Sequence, residues 1–350
     1  MTSGRRSWQL WLGILVSLAA FWYAAREVDG HELAAAFARA DYIWLLPAVP
    51  LMVLGQLART WRWRLLYHRA TRPPWRETFA ALCVGYLVST VFPFRLGDPI
   101  RAWAVGRSTR AGFAEALATV MVERVLDLLA VVVLLAWVAP VVTAARLAAT
   151  LGPGPWDRAD GLRWLTLGVV LACYAGLAVL ATAGHRSDPL LERLLAALRL
   201  SAPHQARFRS AWTGLVDGLS PLRRPSRALG GLFASLVVWM IGAVANWLIM
   251  LAFKLDLGLS TAVFMLCAVA FAAILPSTPG YLGIFQWAVV WSLDLAARVP
   301  HDQALAFALV AQAVTIVVLL VLGPIGLRML GLSGGELRQK VMSQAQTESG

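Results

Sequence analysis

Arg95, Asp98 and Arg101 sit in the stretch VFPFRLGDPIRAW, residues 91–103, among Pro93, Gly97 and Pro99. Glu123, Arg124 and Asp127 follow inside the apolar run ATVMVERVLDLLAVVVLLAWV. A guanidinium is a planar fork of several donors that matches phosphate oxygens. Gly97 would let backbone amides approach the same oxygens. Asp98, Glu123 and Asp127 would then hold the arginines, or receive a proton or an amine. On a helix Glu123 and Asp127, four apart, share a face, and Arg124 can reach Asp127 three residues on. Glu123 is left to find a partner across the bundle. Two plainer readings stand beside this one. The acids and arginines could form a structural ion-pair staple to Arg95 or Arg101. Alternatively, Arg95 and Arg101 could be anchors that snorkel to the phosphates of ordinary lipids, a role that suits Arg107 and Arg110. No nucleophile stands next to a base, so no catalytic residue is expected. Neither a metal nor a cofactor is expected: His31, His68, His185, His204 and His301 lie scattered in loops, and Cys83, Cys173 and Cys267 are far apart in apolar segments.

The elements that must position these residues are membrane helices. The chain is 59% hydrophobic and only 14% charged, which excludes an ordinary soluble domain. Apolar windows near Trp8–Ala25, Tyr42–Leu57, Phe113–Val142, Trp164–Thr182, Leu229–Phe253 and Gln303–Leu327 are long enough to span, and none alternates as a membrane barrel strand would. The first reads as an uncleaved helix, because no A-x-A site follows it. Leu128–Val142, the uncharged part of its helix, has 15 residues. A span needs about 20, so the charged trio lies in the membrane or at its edge. The net charge of +12 comes from arginines in short loops, where it sets orientation and attracts anionic headgroups. It implies no nucleic acid.

Loop charges then assign topology. Arg5 and Arg6 place the start in the cytoplasm, and Arg59, Arg62, Arg64, Arg69, Arg72 and Arg76 mark a cytoplasmic loop after the second span. A full crossing by residues 79–94 would expel Arg95, Arg101, Arg107 and Arg110, and with them the arginine-rich loop 184–228. A hairpin over 79–106 that enters from the cytoplasm and returns satisfies every loop. By the same parity, 261–276 and 281–296, joined by STPG, form a hairpin entered from outside. The expected fold is an all-α polytopic membrane protein of about six full spans plus two re-entrant helical hairpins, with both termini cytoplasmic. Residues 1–330 form one domain, in halves 1–150 and 160–330 related as an inverted repeat, and 331–350 form a polar cytoplasmic tail. Pro/Gly-broken segments at matching places in two halves point to a transporter site near the midplane. The segment DPLLERLLAALRL should lie flat on the cytoplasmic surface. Gln56, Asn246, Gln312 and Thr315 read as interhelical hydrogen bonds.

Pro93, Arg95, Gly97, Asp98 and Arg101, then Glu123, Arg124 and Asp127, then PSTPGYLGIFQ, together resemble the transmembrane flippase domain of lysylphosphatidylglycerol synthases and its stand-alone relatives. The elements concerned are P-x-R-x-G-[ED]-x-x-R, E-R-x-x-D and T-P-G-G-x-G-x-x-E, and the likeness runs over nearly the whole chain. Pro279, Gly280, Gly283 and Gln286 carry the third. Two positions depart from it: Tyr281 stands for the second glycine, and Gln286 for an acid. The resemblance implies a flippase that moves a lipid with a charged or sugar-bearing headgroup across the cell membrane. Its partners would be membrane lipids, with a second copy of the chain or a lipid-modifying enzyme compatible with the same reading. The polar tail is too short for the acyltransferase domain of the synthases. A membrane enzyme acting on a lipid-phosphate or polyprenyl carrier, with Glu123 or Asp127 as base, is the other class considered.

Overall fold

The computed structural model describes residues 3–92, 96–109, 112–151, 225–273, 275 and 278–347, with isolated positions between 152 and 224. The described residues are helical throughout, apart from turns and connections. They form α1 (Ser3–Ala25), α2 (Gly30–Arg39), α3 (Leu45–Leu66), α4 (Trp75–Val91), α5 (Gly97–Ser108) and α6 (Phe113–Leu151). These are followed by α7 (Pro225–Ala252), α8 (Leu259–Ala272), α9 (Ile284–Ala297), α10 (His301–Leu330) and α11 (Gly334–Thr347). Among the described residues, four helical segments are long and apolar enough to cross a bilayer: Tyr42–Leu66, Phe113–Val142, Leu229–Ala252 and His301–Leu330. The protein is a multi-pass helical membrane protein. The expected span at 164–182 lies outside the described residues, as does nearly all of the surface segment after it.

Two pairs of helices are too short to cross. α4 has 17 residues and α5 has 12, while α8 and α9 have 14 each. At 1.5 Å per residue these rise about 18–26 Å, against a hydrocarbon core of about 30 Å. Each pair packs as a hairpin. In the first the arms touch through backbone: a Cβ at Gly97 would stand 2.0 Å from the Gly85 carbonyl oxygen, so only hydrogen fits there. The second hairpin turns through a short 3-10 segment, Pro279–Tyr281, which packs on α4.

The packing has an internal order. α3 lies along α7, α4 along α10, and α8 along α6; α5 packs on α6, and α9 on α10. Exchanging α3 with α7, α4 with α8, α5 with α9 and α6 with α10 maps this set of neighbours onto itself. One apolar core gathers the ends of α3, α7 and α10 around Phe253, whose ring meets Phe37, Tyr42 and Phe307 edge-on. Another lies between α3, α4, α5 and α6 around Trp63, Leu82 and Val120.

The tail expected after residue 330 is a helix. Ser333 and Glu336 form a reciprocal cap: the Ser333 hydroxyl accepts from the Glu336 N–H at 3.1 Å, and Glu336 Oε2 accepts from the Ser333 N–H at 2.9 Å. The next turns bury Leu337 and Val341 against Val84, Val88, Leu96 and Ile100.

Candidate functional site

Six charged side chains from three helices meet at the first hairpin. Arg62 comes from α3, Asp98 and Arg101 from α5, and Glu123, Arg124 and Asp127 from α6. Arg62 Nη2 donates to Glu123 Oε1 at 2.7 Å and to Asp127 Oδ2 at 3.3 Å, while its Nη1 donates to Asp127 Oδ1 and, at 3.0 Å, to Ser235 Oγ on α7. Arg101 Nη1 donates to both Glu123 oxygens at 3.1 and 3.2 Å. Its Nη2 stands 3.1 Å from Asp98 Oδ1, within ion-pair range but too oblique for a hydrogen bond. Its guanidinium also lies 4.9 Å from the centroid of the Trp63 ring, whose indole N–H is held by Thr119. Arg124 grips Asp98 with two nitrogens at 2.6–3.1 Å. Asp127 takes a further bond from the Trp239 indole on α7 at 3.0 Å.

Among the described residues three guanidiniums face three carboxylates, so their formal charges cancel. That balance is what makes it tolerable: side-chain exposure is 1% for Arg62, 2% for Arg101 and 0% for Glu123. An unmatched charge at such depth would cost several kcal/mol. Arg124, at 42%, is the member that faces outward. Three N–H donors, Arg62 Nε and Arg101 Nε and Nη2, have no hydrogen-bond acceptor among the described residues. The cluster therefore keeps donor capacity for an oxygen-rich group, at a point where Gly85 and Gly97 bring two backbones together.

Glu123 finds its partners across the bundle, as expected, while the Arg124–Asp127 pair is present only as the looser of the contacts of Arg124. Arg124 lies 4.0 Å from Asp127 and spends its fork on Asp98, because α5 runs beside α6 and offers a carboxylate face-on. Asp127 and Glu123 share Arg62 instead. Sequence reasoning placed Arg62 in a cytoplasmic loop, yet α3 continues to Leu66 and turns Arg62, Trp63 and Leu66 inward. The signal was present in the spacing of Gly55, Arg62, Trp63 and Leu66, which share one helical face. Arg95 and Pro93 lie outside the described residues.

The second hairpin gathers the remaining expected residues into an uncharged group. Pro279 opens its 3-10 turn, and Gly280, Tyr281 and Gly283 all have positive φ, at 68°, 59° and 86°. The Gly283 N–H donates to Gln286 Oε1 at 2.7 Å, Gln286 Nε2 donates to Gln312 Oε1, and Gln312 Nε2 donates to the Gly280 carbonyl at 2.6 Å. A Cβ on Gly283 would lie 2.1 Å from the Ser17 carbonyl oxygen of α1. The turn keeps its left-handed backbone at Tyr281, where the resemblance led one to expect glycine. Gln312, expected to make an interhelical bond, does so. In both halves the second arm of the hairpin is thus tied to the next helix by a buried polar pair, Arg101 to Glu123 and Gln286 to Gln312.

The family described as lysylphosphatidylglycerol synthase TM region matches residues 10–323. The chain belongs to that family. Among curated relatives, Glycosyltransferase AglD of Haloferax volcanii is 25% identical over 330 residues, which is 87% of this chain and 52% of that protein. A UPF0104 membrane protein of Methanothermobacter thermautotrophicus is 24% identical over 283 residues, 79% of this chain and 82% of that one. The chain therefore spans about half the length of the first relative and most of the second. Family and relatives point to a lipid-related role in a membrane.

Proposed function

We propose that the protein is a translocase for a lipid with a charged or sugar-bearing headgroup in the cell membrane. The observation that carries this is the buried, charge-neutral cluster of Arg62, Asp98, Arg101, Glu123, Arg124 and Asp127, set where a broken hairpin meets the helices of both halves. A headgroup resists hydrocarbon by several kcal/mol, so a carrier must offer it polar partners at depth. An entering phosphate would meet Arg124 first and would use the donors that Arg101 leaves free among the described residues. Asp98 would have to give way, and the local charge would then be balanced by the lipid. The two hairpins are re-entrant in this reading, with six full spans, an inverted repeat and both termini in the cytoplasm. Pro279, Gly280, Gly283 and Gln286 would brace the opposite hairpin without charge. A second copy or a lipid-modifying enzyme is a compatible partner.

The name of the Haloferax relative favours one competing reading, group transfer to or from a lipid carrier, with Glu123 or Asp127 as base. One experiment separates the two. The purified full chain is placed in vesicles containing fluorescent phosphatidylglycerol, and exposure of the probe to an external quencher is followed alongside lipid turnover. Translocation without turnover is expected, with loss of transport in Arg101→Lys, because an ammonium cannot replace the fork. Exposure no faster than in empty vesicles overturns the proposal, and lipid turnover would favour the enzyme.

A further inference from the structure

The exchange of halves that leaves the packing unchanged exposes one difference. On the first hairpin the groove between α4, α5 and α10 is closed by the chain itself: Leu337 and Val341 of α11 cover Val84, Val88 and Ile100, beside Leu327 and Leu330. Val84 and Val88 are the tenth and fourteenth residues of α4, and Ile100 is the fourth of α5. The same places on α8 and α9 are Ala268, Ala272 and Trp287. All three line a cavity of about 400 Å³ between α8, α9 and α6. Among the described residues the equivalent groove is open, and small alanines replace the valines at its floor.

We infer that this second groove holds the hydrocarbon chain of a membrane lipid. Leu135, Phe264, Ala268, Phe271, Trp287 and Trp291 line it, and among the described lining residues the only polar side-chain atoms are the two indole nitrogens. The indoles stack at 6.3 Å between centroids and form a flat apolar wall. Phe271 and Trp291 remain 39% and 44% exposed, so the groove opens sideways, where an α-helical membrane protein meets lipid. A helix like α11 is the alternative occupant, but one of the two contacts that hold α11 has no counterpart in this groove. α11 is held by Glu336 to Arg107, and by Lys340 beside the Trp103 ring. Trp103 is the seventh residue of α5, and the seventh of α9 is Val290, which is buried and offers no ring to a cation. A chain without charge or backbone polar groups fits where an amphipathic helix does not. The inference rests on the membrane placement of the hairpins in the proposed function, not on transport.

The test uses the full chain in vesicles of phosphatidylethanolamine and phosphatidylglycerol, the latter carrying a diazirine midway along one acyl chain. After illumination, adducts are mapped by peptide mass spectrometry. They are expected to concentrate on Phe264, Phe271, Trp287 and Trp291 relative to Val317, Leu320 and Val321, apolar residues of α10 that are more exposed. Ala268→Trp fills the groove and should reduce those adducts to the α10 level without changing the melting temperature; Ala268→Leu serves if the larger residue does not fold. Uniform labelling, or labelling unmoved by both variants, overturns the inference. So does a disulfide between Ala272→Cys of one protomer and Leu337→Cys of another formed in place of lipid adducts, since it would assign the groove to a second copy. Labelling needs no translocation, so intact labelling with no transport would sink only the proposed function. Normal transport with uniform labelling would sink only the groove.

Discussion

Arg62 is the residue on which the cluster closes, since it alone contacts both Glu123 and Asp127 by hydrogen bonds and also reaches Ser235 on α7. Removing one member of a buried pair leaves an uncompensated charge, at a cost of about 3–5 kcal/mol. Arg62→Met should therefore lower the melting temperature in detergent sharply. Adding Asp127→Asn restores neutrality, so the double variant should melt above Arg62→Met alone. A double variant that melts lower still would mean the two side chains do not share a charge balance. Glu123 and Asp127 should also differ, because Glu123 is sealed between two guanidiniums whereas Asp127 is 18% exposed and keeps the Trp239 bond. Glu123→Gln is expected to cost more stability than Asp127→Asn, and equal melting temperatures would contradict that order.

At the scale of elements, the first hairpin depends on contact between two backbones. Gly97→Ala would push a methyl into the Gly85 carbonyl at 2.0 Å, and overpacking of this kind costs about 1–3 kcal/mol. The arms should separate, moving Arg101 away from Glu123, so both folded yield and transport should fall. A variant that folds and transports like the parent would show that the close approach is dispensable. α11 makes a different prediction. The Glu336 carboxyl is held below its usual range by the Ser333 N–H and hydroxyl, and then by Arg107. A carboxyl depressed in the folded state adds stability that is present above its unfolded value and is lost as pH falls through the folded one. Amide exchange over residues 337–341, corrected for the intrinsic rate, should thus quicken as the pH falls below the ordinary glutamate range. No change between neutral and acid pH would show that the cap does not secure the helix.

For the whole molecule, orientation follows from where the arginines lie. Cysteines at Arg69, Thr109 and Gln205 should react with an impermeant maleimide only from the cytoplasmic side. Reaction of Thr109→Cys from outside would mean that α4 and α5 together cross the bilayer, and the hairpin would no longer be re-entrant. The neighbours of the two hairpins exchange when α3–α6 are exchanged with α7–α10, the arrangement that the proposed inverted repeat requires. The halves differ in their polar ties, charged in one and neutral in the other, and in whether α11 fills the groove.

Hydropathy and the lack of strand-like alternation determined the class, since only helices and closed barrels satisfy backbone polar groups in a membrane. The breaks at Pro93, Gly97 and the PSTPG turn located both hairpins, because proline and glycine act locally. Asp98, Arg101, Glu123, Arg124 and Asp127 were legible as a cluster for the same reason: charges inside apolar runs are conspicuous. Their partners were legible only in part: a staple from the acids to Arg101 was one of the readings, but Arg62 was not in it. Whether Arg124 meets Asp127 or Asp98 depends on how α5 lies against α6, and the burial of Arg62 depends on α7 covering α3, neither of which a linear pattern encodes. α11 was not foreseen, since residues 331–350 were expected as a polar tail, although Ser333 and Glu336 stand at capping-box spacing. That it closes one groove while the matching groove stays open was decided by tertiary packing, because only the folded chain brings residues 84 and 341 together and leaves residue 268 uncovered.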